Sequence, residues 1–242
     1  MTASDRHYAA QDRDNSCTDC CIGQHQINDY FTIPEVIALL DELGKTKAFR
    51  TALEKTVSLE WKQFDQVKHI DGRAACQDDA RSFFVYRTAQ YLAFPEVLLT
   101  SALHTLELAQ QDGRNLIEEK YARMMYLSNP QEYKCTGRSV VQQPSPVKKQ
   151  VLDEIYQILK QQLTFAGEIL PVTHGHARPD TTLTNQISSL DYFIAELVPF
   201  RLSMLFDLVN TLADMACHKC NPIARTYIFA MRVMQAVEVV KQ

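Results

Sequence analysis

Apolar residues recur every three or four positions along most of the chain, which is the period of an amphipathic helix. One clear stripe has steps of four, four, four and three and consists of Phe49, Leu53, Val57, Trp61 and Phe64. Alternating patterns typical of strands are few, and helix-forming residues dominate. The pattern therefore predicts an all-α fold, a helical bundle of about seven helices.

Capping residues indicate where some of these helices begin and end. Thr32 with Glu35 and Asn115 with Glu118 have the spacing of capping boxes. Asp78 or Asp79 is a candidate N-cap for the central helix. Pro199 is expected to bend or divide a long helix over about 185–216.

Polar, aperiodic stretches suggest the domain organisation. Residues 1–29 are expected to form a flexible, Cys-containing arm, and 30–242 a single helical domain. Prolines and a glycine interrupt residues 129–146, which we interpret as a linker between two halves.

The two halves are weakly similar when Asn115 is placed over Asn221. The alignment then also pairs Tyr121 with Tyr227, Met125 with Met231, Leu106 with Leu212, Gln90 with Glu196, and the loop residues Arg73 and Arg178. This indicates a duplicated helical unit, although chance similarity between amphipathic helices is the alternative. A duplication would place a ligand site in the cleft between the halves.

Composition and charge narrow the functional classes. The chain has 242 residues, a net charge of −4 and a pI near 6.0, so no nucleic-acid binding is expected. No apolar run is long enough to span a bilayer, and the N-terminus lacks the features of a secretory signal. A cytoplasmic protein that does not bind membranes is therefore expected, with seven Cys present as thiols or ligands.

The most informative stretch is 72–90, where Gly72 is expected to act as a loop-to-helix pivot. At helical spacing one stripe mixes aromatic rings with groups that need hydrogen-bond partners, namely Cys76, Asp79, Phe83, Tyr86, Gln90 and Phe94. Burying such groups unpaired is costly. The stripe is therefore either the wall of a ligand pocket or a satisfied polar network between helices. Glu60, beside Trp61, is interpreted as a surface group, with a tuned base as the alternative.

The pocket interpretation predicts an enzyme or binding protein for a metabolite that carries a carboxylate or phosphate, with no identifiable cofactor. Guanidinium groups bind such anions in a bidentate manner. The candidate catalytic residues are Cys76 and Asp79. The candidate ligand-binding residues are Arg73, Gln77, Arg87, Gln90, Lys120, Tyr121 and Arg123. No His adjoins Cys76 in sequence, so a Cys–His pair would need His69 or a distant residue. The reaction and the oligomeric state are left open.

Two further hypotheses compete with this one. The first is a non-catalytic helical interaction protein. The second is a metalloprotein, because C-x-x-C pairs and neighbouring histidines can bind zinc or iron. Its candidate ligands are Cys17, Cys20, Cys21 and His25, the pair Cys217 and Cys220, and His174 and His176 with Asp180.

Several segments resemble a known family, the bacterial proteins grouped as domain of unknown function 4125. The matching segments are L-E-W-K-Q-F, G-R-A-A-C-Q-D-D, F-P-E-V-L-L and G-R-N-L-I-E-E-K-Y-A-R-M-M, with a looser match through S-L-D-Y-F-I-A-E-L. The resemblance covers Leu59–Met125 best and leaves out the N-terminal arm. It implies a helical, cytoplasmic, bacterial protein whose signature includes Cys76, and it implies no activity.

Overall fold

The structure is a computed structural model that describes residues 27–67, 73–135 and 143–238. Within these ranges the chain forms helices and no β-strand, which confirms the all-α prediction. Nine of these helices have nine or more residues, so the expected number of about seven is too low. The α-helices are α1 (Pro34–Glu42), α2 (Lys47–Asp65), α3 (Ala80–Ala93), α4 (Glu96–Gln111), α5 (Leu116–Ser128), α6 (Pro130–Cys135), α7 (Pro146–Ile169), α8 (Pro171–Gly175), α9 (Ser189–Leu197), α10 (Leu202–Cys217) and α11 (Pro222–Glu238). Two short 3₁₀ helices span Tyr30–Thr32 and Ala75–Asp78.

Side-chain caps explain where several helices begin. Asp79 caps α3, because its Oδ1 accepts a hydrogen bond from the Ser82 N–H at 2.9 Å. Asn115 caps α5 by accepting from the Glu118 N–H, also at 2.9 Å. The predicted cap at Thr32 is wrong, since Ile33 is the N-cap of α1 and its side chain makes no capping bond.

Pro199 separates α9 from α10, so the helix predicted over about 185–216 is divided rather than bent. Helix α9 ends at Leu197, α10 begins at Leu202, and the buried Phe200 lies between them. Proline lacks an N–H and clashes with the preceding turn, so the helix cannot continue through it. Because this division makes two helices out of one predicted helix, the number of long helices is higher than the predicted number.

The predicted arm and linker need correction where they can be compared with the structure. Ile27 is only 2% exposed and belongs to the hydrophobic core, so the arm ends before residue 29. Part of the predicted linker is helical, since Pro130–Cys135 forms α6. Gly72, His69, Gly137 and residues 1–26 lie outside the described residues.

Two sets of four helices follow each other in the same order, α2 to α5 and then α7 with α9 to α11. Helices α4 and α10 have equal lengths and start 106 residues apart, at Glu96 and Leu202. Two residues after the end of each helix stands a residue with left-handed backbone, Gly113 at φ 68° and Lys219 at φ 55°. The next residue closes both turns, because Arg114 N–H donates to the Ala109 carbonyl and Cys220 N–H to the Met215 carbonyl, each at 2.8 Å.

The long helices that open each set also correspond. Thr46 and Ser145, 99 residues apart, cap α2 and α7 through their hydroxyl oxygens. The Asn115 amide donates to the carbonyl of Gln63 in α2 at 2.8 Å. The Asn221 amide donates at 2.7 Å to the carbonyl of Gln162, which is the matching residue of α7. We call these sets the first and the second half.

The halves are interlocked rather than placed side by side. Helix α3 of the first half packs against α11 of the second, and α9 of the second packs against α5 of the first. One hydrophobic cluster contains residues of both halves, including Leu53, Phe84, Leu159 and Leu205. No helix in the described ranges combines the length and the apolar character needed to cross a membrane.

Candidate functional site

A cavity of about 550 Å³ lies where the two halves meet. Its walls come from the 3₁₀ helix Ala75–Asp78, from α2, α3, α5, α9 and α11, and from the loop after α8. Aromatic rings make up much of the lining, namely Phe64, Phe83, Tyr86, Tyr121, Tyr192 and Tyr227. The volume is in the range of small-molecule pockets.

The four tyrosines of the cavity form two matching pairs. Tyr86 and Tyr192 are 106 residues apart, as are Tyr121 and Tyr227. Each half therefore contributes equivalent rings, and the cavity lies between equivalent surfaces. Burial and the neighbouring Tyr192 raise the pKa of Tyr121 to about 12, so its hydroxyl stays protonated near neutral pH.

Beneath this cavity, Arg87 lies at the centre of a buried charged cluster. Its Nε donates to Glu60 Oε2 at 2.7 Å, and its Nη2 donates to the other Glu60 oxygen and to Tyr91 Oη at 2.8 Å. Tyr91 Oη in turn donates to Glu60 Oε1 at 2.7 Å. Glu60 is only 3% exposed, so its interpretation as a surface group is wrong.

Glu196 of the second half completes the cluster. Arg87 donates to both of its oxygens, at 2.8 and 3.0 Å, and to the Gln90 amide oxygen at 2.8 Å. Every N–H of the guanidinium group is thus directed at a protein acceptor. Arg87 lines the cavity but has no donor left for a ligand, which contradicts its predicted role as an anion clamp.

Lys120 balances the second carboxylate of the cluster. It is 4% exposed, and its Nζ lies 3.0 Å from Tyr192 Oη and 3.4 Å from Glu196 Oε2. Burial would raise the pKa of Glu196, but the charges and hydrogen bonds of Arg87 and Lys120 outweigh burial and lower it to about 2. Two cations thus face the two anions, Glu60 and Glu196. Lys120 is not among the residues that line the cavity, so it has no direct ligand contact there.

Some of the predicted site residues lie together at the cavity. Cys76, Asp79, Gln90 and Tyr121 all line the cavity together with Arg87. Asp79 keeps a lowered pKa because the Ser82 side chain and backbone donate hydrogen bonds to it, so it is a carboxylate at neutral pH. Cys76 is exposed and presents its thiol at the same side.

Arg73 lies at the surface, outside the cavity lining. Its guanidinium group donates to Asp78 at 2.7 Å, to Asp65 at 2.6 Å and to the Gln77 carbonyl at 2.7 Å. These bonds hold the turn that leads into α3. The predicted contact of Arg73 with a ligand in this cleft is therefore wrong.

Gln77 and Arg123 have structural partners as well. The Gln77 side chain is 1% exposed and donates to the carbonyls of Phe64 and Val67, at 2.8 and 3.0 Å, which ties the turn to the end of α2. Arg123 pairs at 2.8 Å with Glu119, which lies four residues earlier on the same helix. Neither residue lines the cavity, so their predicted ligand contacts are not present in it.

Sequence reasoning missed the residues that the second half brings to the cavity. Arg178, in the loop after α8, is exposed and lines the cavity, with its guanidinium carbon 4.3 Å from the centre of the Tyr192 ring. Within the described ranges it has no ion pair or hydrogen bond. The signal for Arg178 and Tyr192 was the internal repeat, which paired Arg178 with Arg73. A smaller cavity of about 190 Å³ adjoins and shares Arg178, Tyr192 and Tyr227.

His174 was predicted as a metal ligand with His176, and the structure gives it other partners. Its Nδ1 lies 3.1 Å from Tyr227 Oη, and its Nε2 lies 3.2 Å from Asp180 Oδ1. Both nitrogens of the ring are thus engaged, so the predicted His174–His176 pair does not form. Among the described residues, no group of three or more His, Cys, Asp or Glu could hold a metal ion. The candidate ligands Cys17, Cys20, Cys21 and His25 lie outside those residues.

Comparison with known proteins gives one result. A family model described as "Protein of unknown function (DUF4125)" matches residues 50–234, which is most of the chain. No curated protein and no solved structure matches the chain.

Proposed function

This chain belongs to the DUF4125 family, and we propose that it binds a small anion with a flat apolar body in the cavity between its halves. A carboxylate or phosphate group of the ligand contacts Arg178, while the rings of the cavity pack against the apolar part. Cys76 and Asp79 at the same cavity are the candidate reacting groups if the bound molecule is a substrate. A cytoplasmic location in a bacterium is proposed from the family resemblance alone.

One observation carries this proposal, namely the contrast between Arg178 and Arg87. Both line the cavity, but Arg87 is saturated by two buried carboxylates, whereas Arg178 is exposed and contacts the ring of Tyr192, with no ion pair to any of the described residues. A guanidinium group without a carboxylate partner attracts anions. The aromatic walls favour a flat ligand, because ring pairs stack or meet edge to face.

We also infer that the two halves arose by duplication of one helical unit. Equal helix lengths, matching caps and matching turn bonds support this inference. The proposed ligand site then lies between equivalent surfaces that have since diverged. In this view, the satisfied polar network that was the alternative to a pocket wall accounts for Arg87 and its partners, while the adjacent cavity is kept for a ligand.

Benzoate, phenyl phosphate and the neutral benzyl alcohol form a suitable probe set, used in thermal unfolding and in calorimetric titration. Bound at about 100 times its Kd, an anionic probe should stabilise the protein by about 2.7 kcal/mol. Arg178→Gln should abolish the stabilisation by both anions. Arg201→Gln removes an exposed arginine before α10 that does not line either cavity, and it is the matched control, expected to leave binding unchanged.

Two outcomes would contradict the proposal. Equal binding of benzyl alcohol and benzoate would show that no anion is recognised. Loss of binding in Arg201→Gln with retention in Arg178→Gln would move the site away from the cavity.

A further inference from the structure

Three polar side chains, joined by hydrogen bonds, form a relay that ends at the cavity. Tyr227 on α11 lines both cavities, and its hydroxyl lies 3.1 Å from His174 Nδ1. On the other side of the imidazole, Nε2 lies 3.2 and 3.3 Å from the two oxygens of Asp180. The His174 side chain is 19% exposed and that of Asp180 is 54% exposed, so this relay of side chains runs from solvent to the cavity.

The chemistry of these groups fixes the direction of each hydrogen bond. An ionised carboxylate can only accept, so Nε2 of the neutral imidazole carries its proton and donates to Asp180. Nδ1 is then the unprotonated nitrogen, and the Tyr227 O–H donates to it. A hydroxyl, a base within hydrogen-bond reach and a carboxylate that orients the base form the arrangement that activates nucleophiles in enzymes.

The site is shaped to keep His174 in this position. Gly167 on α7 lies against the imidazole, and a Cβ at that residue would come within 3.1 Å of His174 Cδ2. The main chain at this residue is fixed as well, because the backbone N–H of His174 donates to the Leu170 carbonyl at 2.9 Å. The absence of a side chain at residue 167 therefore allows the imidazole to approach α7 closely.

We infer that Tyr227 is a proton-transferring catalytic residue of the cavity, with His174 as its base and Asp180 as the residue that orients His174. This inference rests on the proposed function, since it requires a ligand in the same cavity. It narrows that ligand to a substrate with an acidic C–H, N–H or O–H group. It also adds a reacting group that differs from Cys76 and Asp79.

Each proton that moves in this step has a donor and an acceptor within the site. The substrate proton passes to Tyr227 Oη as the phenolic proton passes to His174 Nδ1, and the electron pair of the broken bond stays on the substrate. The resulting imidazolium is paired with Asp180, and Arg178, which lines the same cavity, can face the substrate anion. Before the step, burial and Asp180 raise the pKa of Tyr227, which keeps the phenol protonated and hydrogen-bonded to His174.

Benzenesulfonyl fluoride tests this inference without a known substrate. Tyrosine oxygen forms a bond to sulfur, the S–F bond breaks, fluoride leaves and the phenolic proton passes to a base. Tyr86 lines the same cavity and is 57% exposed, so it is an internal reference that is more accessible than the half-buried Tyr227. Mass spectrometry should find Tyr227 labelled faster than Tyr86. His174→Gln should slow the labelling of Tyr227 by about a hundredfold, the usual contribution of a positioned base.

Variants at the exposed Asp180 guard against a folding defect. Asp180→Asn should slow labelling of Tyr227 less than His174→Gln does, and both variants should bind benzoate as tightly as the parent. Labelling of Tyr227 no faster than Tyr86, or unchanged labelling in His174→Gln, would overturn the inference. If benzoate fails to bind while labelling depends on His174, the proposed function fails and the activated tyrosine stands.

Discussion

The two halves bury different chemistry at equivalent positions. In the first half, the positions facing the centre carry Glu60, Arg87 and Tyr91. The equivalent positions of the second half, displaced by 99 residues in the long helix and by 106 in the next one, carry Leu159, Phe193 and Leu197. All six residues are buried.

This difference shows that helix packing alone does not require the charges. The apolar set holds the second half together without any polar partner, and apolar replacement of a buried ion pair is often neutral or stabilising. The charged set has a further task, because Arg87 also neutralises Glu196, which enters from the opposite half. The first half is thus specialised to pair with its counterpart, and the predictions below test that specialisation.

The largest effect is expected from removing one partner of the cluster. Glu60→Ala leaves Arg87 with one carboxylate fewer in a buried site, and such changes cost about 3–5 kcal/mol of unfolding free energy. Urea denaturation measures this loss. The control is Glu54→Ala, at an exposed residue of the same helix α2, with an expected change within about 0.5 kcal/mol. A loss below about 1 kcal/mol for Glu60→Ala would show that the first half tolerates an apolar set as the second half does.

A somewhat smaller effect should appear when the cluster is titrated with acid. Glu196 has an ordinary pKa of 4.5 when unfolded and about 2 when folded, so its contribution is complete above pH 4.5 and is lost as the pH falls through 2. The lowering corresponds to about 3 kcal/mol. Unfolding free energies measured between pH 6 and pH 2 should show this slope.

Glu196→Gln is the matched variant for the acid titration. It cannot ionise, so the share of the pH slope due to Glu196 should disappear, although the variant is less stable at pH 6. An identical slope in parent and variant would mean that other carboxylates account for the acid sensitivity.

The smallest effects concern the features that the halves share. Asn115→Ala and Asn221→Ala each remove an N-cap and an amide bond to a long helix, with an expected cost of about 1–2 kcal/mol. Denaturant midpoints should shift by similar amounts in the two variants. A loss confined to one of them would show that the matching hydrogen bonds do not have matching energetic roles.

Local sequence patterns predicted the fold class and much of the first-half wall. Cys76, Asp79 and Gln90 were found because helical spacing places them on one stripe, and Tyr121 because it lies on the buried face of its helix. The same patterns misjudged Arg87 and Glu60. Arg87 and Glu60 are paired with each other although they are 27 residues apart, and Arg87 also pairs with Glu196, 109 residues further on. The hydrophobic period of a single helix gives no information about partners this distant in the sequence.

The second-half wall could not be found in this way for a different reason. Arg178 lies in a loop without periodicity, and His174 reads as a metal ligand until Tyr227 is seen beside it, 53 residues away. Only the alignment of the halves pointed toward Arg178 and Tyr227, and no pattern connected His174 with them. The alignment paired Tyr227 with Tyr121, a residue already assigned to the cavity. An internal repeat is therefore the most useful way to find candidate site residues where a loop has no hydrophobic period.

The exchange of partners between halves has a consequence for how the chain is made. Helix α3 ends at Ala93, but its packing partner α11 begins only at Pro222, so an emerging chain must hold the first half incomplete until α11 has been synthesised. Contacts this distant in sequence slow folding, and apolar surface that waits for a partner is prone to aggregate. Truncation before residue 222 should accordingly leave the face of α3 that meets α11 uncovered, and neither half is expected to fold when expressed alone.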